Sequence, residues 1–137
     1  PEVLILDEPT AGLDPRERIR FRNIISSLSK ERIVILSTHI VSDVEYIADE
    51  ILLMKEGELL ATGDIGRMLE MARGKVWECT VKPEDTEQYQ AYFNVSNLRN
   101  TEEGVRLRIV SDERPTESAQ PADPDLEDVY LYYFREQ

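Results

Sequence analysis

Two adjacent acids, Asp7 and Glu8, close the apolar run Val3-Leu4-Ile5-Leu6. A continuous apolar run of this kind reads as a strand buried on both faces. In open α/β sheets, ligands gather beyond the carboxyl ends of the strands. A carboxylate placed there can hold Mg²⁺, largely through water, because that ion keeps much of its hydration. A second carboxylate one residue later can orient a water for attack on a phosphate. Read alone, the same pair equally describes a strand ending in solvated acids. One strand further on stands Ser37-Thr38-His39, which holds the only histidine of the chain. A lone histidine at a strand end is commonly a polar terminus. Its place downstream of an Asp-Glu strand makes it a candidate here. Asp14 precedes Pro15 at the start of a helical pattern, which suits an N-cap with proline in the first turn.

These residues need elements to position them. Ile33-Val34-Ile35-Leu36 and Ile51-Leu52-Leu53-Met54 repeat the buried-strand pattern. Between the first two runs, Ile19, Phe21, Ile24, Ile25 and Leu28 are spaced for one helix face. Between the second and third, Val41, Val44, Ile47 and Ala48 are spaced likewise. Strand alternating with helix predicts an α/β fold with a largely parallel sheet and right-handed crossovers. Lys55-Glu56-Gly57-Glu58 predicts a turn into Leu59-Leu60-Ala61, and a short helix follows from Asp64 to about Ala72. Arg16, Arg18, Arg20 and Arg22, with 16/20 and 18/22 as neighbours, read as a solvated helix face.

The pattern changes near Arg73-Gly74. Val76 to Lys82 reads as a strand, and Glu84 to about Gln90 as a short polar helix begun near Pro83. Tyr92–Leu98 and Val105–Val110 predict a hairpin around Glu102-Glu103-Gly104. Residues 111–124, rich in Pro, Ser, Asp and Glu, read as a mobile linker. The last helix carries a stripe of Leu126, Val129, Tyr130, Tyr133 and Phe134, with Asp123 before Pro124 as its expected cap. Trp77 reads as packing, and Asn94-Val95-Ser96 as a chance match to a glycosylation acceptor. The expected organisation is an α/β region over 1–73 and a small α+β region over 74–137, without internal repeats.

The chain has 137 residues and a formal net charge of −12. That length holds one modest domain, or one small domain with part of another. An acidic balance of this size argues against nucleic-acid binding, whose affinity comes from basic groups on phosphates. It also argues against an anionic lipid surface. The single cysteine, Cys79, cannot form an internal disulfide. No apolar run reaches the ~18–20 residues of a membrane span, and no basic-then-apolar leader is present.

In combination and order, Val3–Glu8, Ala11-Gly12-Leu13-Asp14 and Thr38-His39 resemble the Walker B strand, the D-loop and the switch histidine of the ABC transporter ATPases. Asp49 to Glu58 is similar to the strand and turn that follow in transporter subunits. The resemblance covers residues 1 to about 64. It implies a P-loop NTPase sheet of the RecA-like kind and a role for each residue. Asp7 would bind the Mg²⁺ of MgATP. Glu8 would be the catalytic carboxylate that polarises the attacking water. His39 would contact the γ-phosphate, and Asp14 would act at the interface of two ATPase subunits. ATP and Mg²⁺ are the implied cofactors. The implied partners are a second copy of the subunit and a membrane-spanning permease, at the inner face of the cell membrane. Leu126-Glu127-Asp128-Val129-Tyr130 resembles the terminal helix of drug- and antibiotic-exporting members.

The phosphate loop G-x-x-x-x-G-K-[ST] is absent from these residues, as are the family's signature and glutamine loops. In the family all three precede the Walker B strand. The chain is therefore expected to be the C-terminal part of such an ATPase, with an incomplete sheet. By itself it is expected not to hydrolyse ATP, since that loop supplies the N–H groups and lysine that hold the phosphates. Two other readings are an ABC-type ATPase outside transport and an acidic, non-enzymatic dimerisation or regulatory module. Residues 74–137, with 7 basic and 14 acidic groups, suit a regulatory or dimer contact better than a lipid contact.

Overall fold

A computed structural model of the chain describes residues 2–134. Residue 1 and residues 135–137, the outer ends of the two expected regions, lie outside the described residues. Strands β1 (Val3–Asp7) and β2 (Ile33–Ser37) pair in parallel, from Val3 opposite Ile33 to Asp7 opposite Ser37. Their valines and isoleucines are stiff at χ1 and favour extended backbone. Helix α1 (Pro15–Leu28) connects them. Asp14 caps it, accepting from the Glu17 backbone N–H at 2.8 Å, with Pro15 in the first turn.

The inward face of α1 differs from the one expected. Ile19 and Ile24 are 56% and 50% exposed. Phe21, Ile25 and Leu28 turn inward as expected, and Arg18 and Arg22 join them in place of the two isoleucines. Positions 18, 21, 22, 25 and 28 lie three and four apart, on one helix face. The cause is a buried carboxylate on the next helix, α2 (Val41–Ile47), which draws both arginines in. The solvated arginine face is thus corrected for Arg18 and Arg22 and holds for Arg16 and Arg20.

The third apolar run forms β3 (Ile51–Lys55), but it does not join β1 and β2. It pairs antiparallel with β4 (Glu58–Gly63) in a separate two-stranded sheet. The turn explains the choice. Glu56 and Gly57 both take left-handed φ values, 51° and 80°. A two-residue turn of that hand matches strand twist and closes a hairpin locally.

Helix α3 (Ile65–Glu70) follows, capped by Asp64 through the Arg67 N–H. Then comes a four-stranded antiparallel sheet in the order β6-β7-β5-β8. Its strands are β5 (Val76–Val81), β6 (Asn94–Thr101), β7 (Gly104–Val110) and β8 (Gln120–Pro121). A 3₁₀ turn at Pro83–Asp85 leads into α4 (Thr86–Tyr92) between β5 and β6. The expected β6–β7 hairpin is present, and Gly104 is required in it. Its φ is 143°, and an added Cβ would lie 2.6 Å from the Val81 carbonyl oxygen. Val105, Leu107 and Ile109 are buried, while Arg106 and Arg108 occupy the opposite face.

The segment read as a mobile linker is docked at its C-terminal end. Ala119 is fully buried, Gln120–Pro121 pair with β5, and Ala122 donates to the Val76 carbonyl. The last helix, α5 (Leu126–Tyr133), is capped by Asp125, not Asp123. Asp125 and Asp128 each accept from the other's backbone N–H, closing a capping box. Two apolar clusters form the core. Cys79, Val81, Val105, Leu107, Ile109 and Ala119 make one, inside the antiparallel sheet. Ile51, Met68, Ala72, Val76, Leu126 and Val129 make the other, which crosses the boundary expected at 73/74.

Candidate functional site

The site lies at the carboxyl ends of β1 and β2, where parallel pairing sets Asp7 opposite Ser37. Glu8 continues the ladder, its N–H donating to the Ser37 carbonyl at 2.7 Å. It then leaves the strand with a φ of 47°. A left-handed backbone costs a residue other than glycine about 1–2 kcal/mol. Such strain persists only where surrounding contacts fix it. Here the contacts are on the Glu8 carboxylate. Oε1 accepts from the His39 backbone N–H at 3.1 Å and lies 2.8 Å from His39 Nδ1. Oε2 accepts from Thr38 Oγ1 at 3.2 Å. Thr38 Oγ1 also accepts from the Ile40 N–H at 2.9 Å, which fixes the hydroxyl.

The His39 hydrogen bond, above all, holds the Glu8 carboxyl below its ordinary value of 4.5; slight burial opposes it, and Thr38 adds to it. Glu8 is therefore ionised at neutral pH. An ionised carboxylate accepts hydrogen bonds from a water and can orient it.

Of the expected residues, Glu8 and His39 are brought into direct contact. Asp7 stands beside them, exposed, with no side-chain hydrogen bond or ion pair among the described residues. It shares a strand face with Val3 and Ile5. No group of three or more metal-ligating side chains occurs among the described residues. Mg²⁺ is typically held by one or two carboxylates together with water and phosphate oxygens, so Asp7 fits as one such donor. Asp14 does not reach this pair; its carboxylate caps α1.

A second constellation, not foreseen in the sequence, stands behind the first. Asp43 on α2 is 1% exposed. Its Oδ2 accepts from Thr10 Oγ1 at 2.6 Å and from Arg18 Nη2 at 3.0 Å. Its Oδ1 accepts from Arg22 Nε at 3.0 Å and Nη2 at 2.7 Å. Burial pushes the Asp43 carboxyl up, but Thr10, Arg22 and Arg18 together hold it below its ordinary 3.8. The one signal in the sequence is the arginine pair at i and i+4, which can grip a single carboxylate.

No protein-family model matches the chain. An uncharacterized ABC transporter ATP-binding protein of Synechocystis is 34% identical over 99% of this chain and 41% of its own length. An uncharacterized ABC transporter ATP-binding protein of Bacillus subtilis, YxlF, is 34% identical over 60% of this chain and 28% of its own length. An energy-coupling factor transporter ATP-binding protein of Bacillus licheniformis is 49% identical over 46% of this chain and 22% of its own length. The chain thus spans less than half the length of these relatives. Residues 1–137 are a homologue of the ABC transporter ATP-binding proteins, corresponding to part of such a protein.

Proposed function

We propose that this chain is the C-terminal part of an ATP-hydrolysing transporter subunit, and that Glu8 and His39 are its hydrolytic pair. The observation that carries the reading is the Glu8 carboxylate, held at the end of β1 by Thr38 Oγ1, the His39 N–H and His39 Nδ1. In this reading Glu8 orients and polarises the attacking water. As an imidazolium, His39 donates from Nδ1 to Glu8 and from Nε2 to a phosphate oxygen. Asp7 supplies a carboxylate to Mg²⁺, whose charge stabilises the phosphate oxygens when MgATP is bound. Asp14 serves α1 as a cap and the subunit interface as a charge. The phosphate-gripping backbone would come from residues outside these 137.

The partners proposed are a second ATPase subunit and a membrane-spanning permease, with the subunit peripheral on the cytoplasmic face of the membrane. Among the described residues no helix is long and apolar enough to cross a membrane, which accords with that arrangement. The exporter branch rests on Leu126–Tyr130 alone. Relatives matched over under half of the chain are energy-coupling factor transporter ATP-binding proteins, which do not single out that branch.

The test uses the protein extended upstream to include its phosphate loop. Magnesium-dependent ATP hydrolysis is expected there and absent from the 137-residue chain. Glu8→Gln is expected to lower kcat by about 100-fold or more. Hydrolysis that survives this substitution unchanged removes Glu8 from the reaction.

A further inference from the structure

We propose that Asp43 is a positioning residue that holds Glu8 and His39 in contact, with Thr10 as its link to the Glu8 segment. The proposal rests on the reading of Glu8 and His39 as the hydrolytic pair. Thr10 lies two residues beyond Glu8, and Asp43 lies four beyond His39. Beyond the ladder bond from the Glu8 N–H to the Ser37 carbonyl, the two segments are joined by side chains at a front and a rear position. The front join is the Glu8–His39 contact, at 2.8 Å. The rear join is Thr10 Oγ1 donating to Asp43 at 2.6 Å.

The front join is mostly open, with the His39 side chain 77% exposed. The rear join is closed, since Thr10 and Asp43 are 3% and 1% exposed. Between Glu8 and α1 the chain runs through turns, with Gly12 at a φ of 83°. Helix α2 has no side-chain hydrogen bond at its N-cap, Ile40. Its first turn is tied through Asp43 instead. Arg18 and Arg22 neutralise that carboxylate and add α1 to the joint. Arg18 Nε is buried with no hydrogen-bond partner among the described residues. The guanidinium is thus set for Asp43 at the expense of its own full satisfaction. A buried charge pair contributes little net stability against an apolar replacement, whereas geometry at a reacting centre is worth far more than packing.

His39 is the only histidine of the chain, so its imidazole signals in an NMR spectrum report the front join without ambiguity. Glu8→Gln sets the signal positions of an imidazole that has lost its contact with the Glu8 carboxylate. Thr10→Val removes the rear hydrogen bond at nearly constant volume, and Asp43→Asn removes the charge. Both are expected to move the His39 signals toward the Glu8→Gln positions, and Thr10→Ser to restore them. If Asp43→Asn fails to fold, Thr10→Val decides.

In the upstream-extended protein, Thr10→Val is expected to lower kcat about tenfold while the KM for ATP stays within about twofold, as loss of alignment predicts. His39 signals unmoved in a folded Thr10→Val protein overturn the brace, whatever the enzyme does. A wild-type extended protein without magnesium-dependent hydrolysis overturns the hydrolytic reading, whatever the His39 signals do.

Discussion

Glu8 and Asp43 are acids whose hydrogen bonds hold them below their ordinary values, while Glu45 and Asp125 are displaced the other way. Burial, then the nearby Asp125 charge, raises Glu45. Burial raises Asp125, with the Asp128 charge adding to it. The two kinds pull stability in opposite directions with pH. A raised acid costs stability when ionised, so acidification through its raised value toward the ordinary one, 4.5 for Glu45, favours the native state. Relief of the −12 net charge acts in the same direction. A depressed acid contributes fully above its unfolded value, and that contribution fades as pH falls through the lower folded value. Below 3.8, the ordinary value for Asp43, acidification therefore destabilises. Melting temperatures are expected to pass through a maximum in mild acid. Glu45→Gln should flatten the rise, and Asp43→Asn the fall. A melting curve flat from neutrality into strong acid contradicts both assignments. At this scale the sequence is legible where chemistry is local. Asp7, Glu8 and His39 stand at strand ends that the apolar runs define. The Thr10–Asp43 bond is not legible, because the two residues lie 33 positions apart and each is ordinary in its own segment.

Elements reveal a different division. The apolar runs of β1, β2 and β3 announce strands, yet an apolar run carries no information about its partner. Glu56-Gly57 decides that β3 turns back on β4, a choice made by two residues of turn chemistry. Hydrophobic spacing finds Phe21, Ile25 and Leu28 on the inward face of α1 but misses Arg18 and Arg22, which are drawn in by a carboxylate and not by their own apolarity. Two candidate caps compete at α5, since Asp123-Pro124 and Asp125 both offer cap chemistry. Only Asp125 has an acid three residues on, at Asp128, to return the bond. Asp14 suits both a cap and an interface charge, and substitution can separate the two. Asp14→Asn keeps a good cap, and the melting temperature is expected to stay put. Asp14→Ala removes the Glu17 bond and is expected to cost about 1 kcal/mol. If the charge has an interface role, Asp14→Asn alone lowers hydrolysis in the extended protein. Equal hydrolysis by wild type and Asp14→Asn leaves only the cap.

For the molecule as a whole, the unusual feature is apolar surface on its strands. Val3, Ile5, Ile33 and Ile35 are 45–72% exposed on one side of the β1–β2 sheet. Leu52 and Met54 are likewise exposed on β3. An apolar patch of strand residues, next to unpaired strand edges, is a site of association. The 137-residue chain is expected to self-associate in solution, with a mass by light scattering above 15.8 kDa that rises with concentration. Ile5→Lys with Ile35→Lys should return it toward a single copy. A monodisperse wild-type chain would mean that this face is covered from within.

The cluster that joins Ile51, Met68, Ala72 and Val76 to Leu126 and Val129 also sets an order in time. A chain emerging from the ribosome presents residues 51–76 long before it presents α5. Their shared core cannot close until Val129 has cleared the exit tunnel, more than fifty residues after Val76. The hairpin and the antiparallel sheet can form during synthesis, but the joint between them waits for α5. A stop before Leu126 would therefore remove the side chains that close this core. It would leave Met68 and Val76 uncovered in every copy made, and such products are what cellular proteases remove.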